Sequence, residues 1–289
     1  MVVALLWVGL AAAKGPLYLW ELRDGDGALR AWLYGTIHVC DAACFPLPPD
    51  VRAAFDGADS LALELDPEDP ALTRVLMAAA RLPAGERLDD RLPPALRPRL
   101  ARVADRLGLP SAALQGLQPW MVSTLLTLRA AELAGYGASQ GIDLSLARDA
   151  RARGVALWAL ERPERQVAAL SAGGDKAQAA FLAEVVALVE EDAAPAYFGA
   201  MLRAWRRGDV AEIDRLLSET SGGEEAAPLL EALLDERNRE MADAIVGGLQ
   251  PGRRPFIAVG AGHFGGKGGL LERLAARGFA LRQVQDGAD

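Results

Sequence analysis

The chain holds two histidines, and both close a Gly-x-x-His turn directly after an apolar run that reads as a strand. Gly35-Thr36-Ile37-His38 follows the run Ala28 to Tyr34, and Gly260-Ala261-Gly262-His263 follows Pro255 to Val259. Each turn leads into a predicted helix and a further predicted strand: Pro48 to Gly57 then Ser60 to Leu65, and Gly269 to Arg277 then Ala280 to Val284. This repeated strand, Gly-x-x-His, helix, strand unit, once near each end of the chain, narrows the fold more than any other feature. A shared sheet is the simplest way for two such halves to bury their apolar runs. Glycine at a strand end lets the backbone turn tightly and approach a ligand, and the carboxyl ends of strands line the crevice where open α/β sheets bind substrates.

A predicted hairpin opens the chain, with Leu17 to Leu22 joined to the run before His38 through Asp24-Gly25-Asp26-Gly27, whose Asp-Gly pairs accept the positive φ of such a turn. From about Pro70 to Ile245 apolar residues recur at helical spacing, broken at Pro83, Pro93-Pro94, Pro110 and Pro119. One strand intervenes, Gly154 to Leu160, between a helix over Asp143 to Arg153 and another starting near Pro163. The expectation is therefore one α/β domain over residues 14–289, its mixed sheet made by the N- and C-terminal segments, with a large helical insertion at about 70–245.

A formal net charge of −8 leaves no basic face for phosphate and argues against a nucleic-acid partner. Residues 1–13 are apolar and end in Ala11-Ala12-Ala13, which reads as the remnant of a signal peptide and places the protein in the periplasm or outside the cell. An apolar first element of the fold is the other reading. No later stretch is long and apolar enough for an integral membrane segment in the mature chain. Cys40 and Cys44 permit a local disulfide in an oxidising compartment, with a His-Cys-Cys metal site including His38 as the lesser alternative.

Glu64 sits in Leu61-Ala62-Leu63-Glu64-Leu65, where a carboxylate is costly unless paired, protonated or metal-bound. Exposure by strand alternation would make it ordinary. Glu161 follows Val155 to Leu160 in an equivalent place, although acids are also common in the first turn of a helix. Gly260-x-Gly262-x-x-Gly265 matches the dinucleotide fingerprint in letters, but too little chain follows it for a second strand-helix-strand half. A phosphate loop is excluded at Gly266-Lys267, and no Gly-x-Ser-x-Gly elbow is present.

Leu33-Tyr34-Gly35-Thr36-Ile37-His38-Val39 with Leu63-Glu64-Leu65-Asp66, and Val259-Gly260-Ala261-Gly262-His263-Phe264 with Gly269-Leu270 and Gly278-Phe279, together resemble the first and last blocks of the TraB/GumN family. That family includes the Tiki proteases and is distantly similar to erythromycin esterase-like and ChaN-like proteins. Gly141-Ile142-Asp143, Leu160-Glu161 with Gln166, and Arg237-Asn238 with Met241-Ala242 are similar to its weaker middle blocks, and the resemblance runs from about Leu17 to the end. Cys40 and Cys44 depart from the family pattern. The resemblance implies a mixed α/β domain with a helical insertion and metal-dependent peptide hydrolysis. On that reading His38, Glu64 and His263 surround a divalent metal (Mn, Co or Zn), and Asp143 or Glu161 serves as a further ligand or general base. Arg237 and Asn238 then position substrate or stabilise negative charge, beside Gly35, Gly260 and Gly262. A solvated helix face around Glu236, Arg237, Arg239 and Glu240 is the plainer account of Arg237 and Asn238. Two other functions fit the same residues: a metal-independent esterase or lactone hydrolase with a His/Glu base, and a non-catalytic protein binding a peptide or haem.

Overall fold

A computed structural model describes residues 15–220 and 222–287; the run read as a signal-peptide remnant lies outside the described residues. Six strands form one mixed sheet: β1 (Pro16–Arg23), β2 (Leu29–Thr36), β3 (Ser60–Leu63), β4 (Ala156–Ala159), β5 (Phe256–Gly260) and β6 (Ala280–Gln285). Their spatial order is β4-β3-β5-β2-β1-β6. β1 runs antiparallel to β2 and β6, while β2–β5, β5–β3 and β3–β4 are parallel. The expected mixed sheet, made from both ends of the chain and carrying a helical insertion, is what forms, and the single strand within the insertion returns to pair at its edge.

The pattern of apolar residues explains the order. All five residues of β5, Phe-Ile-Ala-Val-Gly, are buried, the signature of a parallel strand covered on both faces. β4 and β6 carry only exposed and half-buried positions and lie at the two edges. The hairpin turn from β1 to β2 closes as its glycines predict: Gly27 has φ +81°, and its N–H donates to the Asp24 carbonyl at 2.9 Å. The sheet core gathers Leu19, Leu33, Leu61, Phe256 and Ile257 with Phe55, Ile142, Met241, Ile245 and Leu270 from the surrounding helices. Each such side chain contributes about 1.5–3 kcal/mol by burial. A second cluster, including Leu88, Leu100, Leu126, Leu182 and Val186, lies within the helical insertion.

Two local features aim residues at the strand ends. Gly141 lies so near the His38 carbonyl that a Cβ there would fall 2.5 Å from that oxygen, and Ile142 N–H donates to the Ile37 carbonyl at 3.0 Å. The helix Ile142–Ala152 thereby starts beside the first histidine. Farther on, Pro228 interrupts the helix Gly223–Leu230, and a wider π turn over Glu231–Glu236 follows before the helix Arg237–Gly248. Proline supplies no N–H for the helical ladder, and a π turn shifts helical phase. Beyond it the adjacent residues Arg237 and Asn238 are both buried, at 5% and 3% exposure.

Candidate active site

Four parallel strands deliver the candidate groups from their carboxyl ends. His38 follows β2, Glu64 follows β3, Glu161 follows β4 and His263 follows β5. The strand expected over Ser60 to Leu65 stops at Leu63, one residue short of Glu64. Backbone pairing nevertheless continues past the strands, since Leu160 N–H donates to Leu63 O at 2.8 Å and Glu161 N–H to Glu64 O at 3.0 Å. The two Gly-x-x-His turns leave neighbouring strands with Thr36 paired to Gly260, so a single tight place receives both.

Gly260 is the centre of that place. Its N–H donates to Glu64 Oε1 at 2.6 Å. A Cβ on Gly260 would lie 3.0 Å from that oxygen, 3.5 Å from His38 Nε2 and 3.7 Å from His263 Cδ2. The Glu64 approach is tighter than a Cβ readily accepts, while the two imidazoles stand at ordinary contact distance around the same carbon. Gly35 and Gly262 are close-packed differently: the ring of Tyr18 covers Gly35, and Leu217 Cδ1 covers Gly262.

Both imidazoles are held through Nδ1. His38 Nδ1 donates to Asp143 Oδ2 at 2.7 Å, and the other oxygen of Asp143 accepts from the Thr36 hydroxyl. His263 Nδ1 pairs with Asn238 Oδ1 at 2.7 Å, and Asn238 Nδ2 donates to the Gly268 carbonyl at 3.2 Å. In a neutral ring, an Nδ1 proton donated to oxygen leaves Nε2 as the acceptor. His263 Nε2 accepts from Arg237 Nη1 at 3.2 Å. The remaining donors of Arg237 go to Glu161, through Nε at 2.9 and 3.1 Å and through Nη2, to Glu64 Oε2, and to the Leu233 carbonyl at 3.2 Å. The guanidinium is thus a buried clamp between two carboxylates and a histidine.

Burial differs sharply between the two rings. The His38 side chain is 68% exposed, whereas His263 is 8% and Glu64 9% exposed. The Asp143 carboxylate raises the His38 imidazole above its ordinary value. Burial pushes His263 down to about 4, which leaves it neutral at pH 7. Burial alone would raise Glu64, but His263, Arg237, His38 and the Gly260 N–H together hold it at about 2. For Glu161 burial raises the carboxyl and Arg237 pulls it back.

By residue type the set suits a divalent metal, two imidazoles whose Nδ1 is tied to an oxygen with a carboxylate beside them, but Arg237 takes His263 Nε2 and Glu64 Oε2, and these three donors do not gather within 4.8 Å of one another. Metal-binding histidines are oriented in this way by a carboxylate or carbonyl on the far nitrogen, and imidazole and carboxylate suit zinc and manganese. Metal binding would displace the proton from His38 Nε2. Among the described residues, the group of three His, Cys, Asp or Glu donors lying within 4.8 Å of one another is Cys40, Asp41 and Cys44. Cys40 and Cys44 are joined in a disulfide, so that loop is cross-linked covalently beside His38.

The structure thus brings together His38, Glu64, His263, Asp143, Glu161, Arg237, Asn238 and Gly260. Arg237 and Asn238, expected to face substrate, have their polar atoms engaged within the protein, and burial of Arg237 removes the alternative of a solvated helix face. Thr36, Gly141 and the Leu233 carbonyl also belong to the site, and the sequence reading did not single them out. Thr36 stood within the first Gly-x-x-His turn and Gly141 two residues before Asp143, but only contact shows what they do.

Comparison with known proteins gives a family match, described as the TraB/PrgY/gumN family, over residues 18–283. The chain is 28% identical to the uncharacterized protein YbaP of Shigella flexneri over 94% of this chain and 97% of that protein, with the same figures for YbaP of Escherichia coli K12. It is 25% identical to metalloprotease TIKI1 of Danio rerio over 93% of this chain and 63% of that protein. No solved structure matches.

Proposed function

The chain belongs to the TraB/PrgY/gumN family, and from that premise we propose that it is a metal-dependent hydrolase of peptide bonds, with His38, Glu64 and His263 as the residues that hold the metal. The observation that carries this reading is the matched pair of imidazoles, each with Nδ1 tied to an oxygen, by Asp143 and by Asn238, and each turned toward Glu64 and Gly260. The similarity to a protein named a metalloprotease supports it further. A divalent ion held there would supply an activated water and polarisation of the substrate carbonyl.

The protein's own groups divide the remaining work. Asp143 and Asn238 fix the tautomer of each ring. Arg237, itself anchored by Glu161, holds Glu64 ionised in a buried place and adds positive charge next to the reacting centre. His38 is the exposed member of the pair. The Cys40–Cys44 disulfide supports an exported location. No helix among the described residues is long and apolar enough to cross a membrane.

One contact favours a second reading. Arg237 already donates to His263 Nε2, so the arginine can serve as the cation of a metal-free hydrolase in which the His38–Asp143 pair activates water. Metal analysis of purified protein and assay of peptide cleavage before and after chelation separate the two. The metal reading expects about one equivalent of bound Mn, Co or Zn, activity lost with chelator and restored by one of these ions. Full activity in metal-free protein refutes it.

A further inference from the structure

We infer that the cavity beside the second Gly-x-x-His turn is the recognition pocket for a large apolar substrate side chain, so that cleavage occurs next to residues such as phenylalanine or leucine. This inference rests on the hydrolase reading of the site. The cavity has a volume of about 320 Å³ and lies among the helices Gly174–Glu190, Val210–Glu219 and Gly223–Leu230 and the π turn. Phe181, Leu188, Leu217, Leu230, Leu233 and Leu234 line it, and every one of these apolar side chains is half-buried, facing space that no part of the described protein fills. That volume falls in the range of small-ligand sites, which are mostly apolar with a few polar groups.

Two contacts join the cavity to the reacting groups. Leu217 touches Gly262, the residue before His263. The carbonyl of Leu233 accepts from Arg237 Nη1, the same nitrogen that donates to His263 Nε2. A side chain seated in the cavity would lie against Leu217 and Leu233, which contact Gly262 and Arg237 respectively. The carboxylates of Glu184 and Asp214 also line the cavity and would repel an acidic side chain. The π turn after Pro228 carries both Leu233 and Leu234 and ends at Arg237, so one irregularity shapes the pocket and sets the arginine.

The test digests a peptide library, varied at one position among phenylalanine, leucine, alanine, lysine and aspartate, with the full chain and reads cleavage by mass spectrometry. Phenylalanine or leucine beside the cut is expected to exceed aspartate at least about 10-fold in kcat/KM, the scale on which apolar pockets discriminate. Leu188→Trp fills the cavity from a helix remote from the histidines. It should lower cleavage at phenylalanine at least about 10-fold while cleavage at alanine stays within about threefold. Leu188→Ala, which carries the test if the tryptophan variant does not fold, should shift preference to larger side chains. A preference for lysine or aspartate, or an unchanged profile in these variants, overturns the inference. N-acetyl-phenylalaninamide titrated into the unmutated protein gives a readout independent of turnover: the leucine methyl signals at 188 and 217 should shift in nuclear magnetic resonance spectra. If nothing is cleaved yet those methyls respond, the hydrolase reading fails and the pocket stands. If peptides are cleaved but the methyls stay unmoved, the pocket fails and the hydrolase reading stands.

Discussion

Replacing Arg237 with methionine keeps most of the side chain's length and removes its charge, which leaves Glu64 and Glu161 buried at 8% and 9% exposure without their shared cation. Removing one partner of a buried ion pair costs about 3–5 kcal/mol, mainly because the remaining charge is desolvated without compensation. The Gly260 N–H still serves Glu64, whereas Glu161 loses Nε and Nη2 together. A loss of about 4 kcal/mol is therefore expected. With an unfolding entropy of about 2.1 cal/mol/K per residue over 289 residues, Tm should fall by about 7 °C. The assay is thermal unfolding followed by circular dichroism at pH 7, on Arg237→Met and on the double variant Arg237→Met/Glu161→Gln. The second change removes one stranded charge and should recover roughly half of the loss. A shift below about 2 °C in the single variant, or a further drop in the double variant, would show that Arg237 is not the clamp the hydrogen bonds describe.

Asp143→Asn weakens the orientation of His38, and by analogy with other carboxylate–histidine pairs Mn²⁺ or Zn²⁺ should bind about 10–100-fold more weakly by calorimetry; an affinity within threefold of the parent contradicts the assignment. Away from the site, Arg282 and then Arg23 hold Glu21 at about 2 against an ordinary value of 4.5. A carboxylate depressed on folding stabilises fully above its unfolded value and loses that contribution as pH falls through the folded one. Glu21→Gln should thus cost about 1–2 kcal/mol at pH 7, discounted because Arg282 is exposed, and at most a few tenths near pH 2. Equal deficits by urea unfolding at both pH values would refute this. Reducing the Cys40–Cys44 disulfide opens a very short loop, which predicts a loss of about 2 kcal/mol from chain entropy; a calorimetric Tm unchanged under reductant would count against it.

Local signals made much of the architecture readable in the amino-acid sequence alone. The Asp-Gly pairs marked the first hairpin because that turn needs positive φ, and the unbroken apolar run Phe256 to Val259 marked a covered strand because no polar side chain interrupts it. The two Gly-x-x-His turns, with an acid after each of two other strands, named the candidate groups for the same reason: histidine and carboxylate in apolar surroundings need partners. Which partners they take was decided only by tertiary structure. The parallel pairing of β2 with β5 brings together turns more than two hundred residues apart in sequence. The phase shift after Pro228 turns Arg237 inward between Glu64 and Glu161, although its neighbours read as a charged surface. Sequence periodicity reports which face of an element is apolar, but hydrogen bonds such as Arg237 to His263 depend on the register and approach of separate elements, and those are set by packing across the whole core.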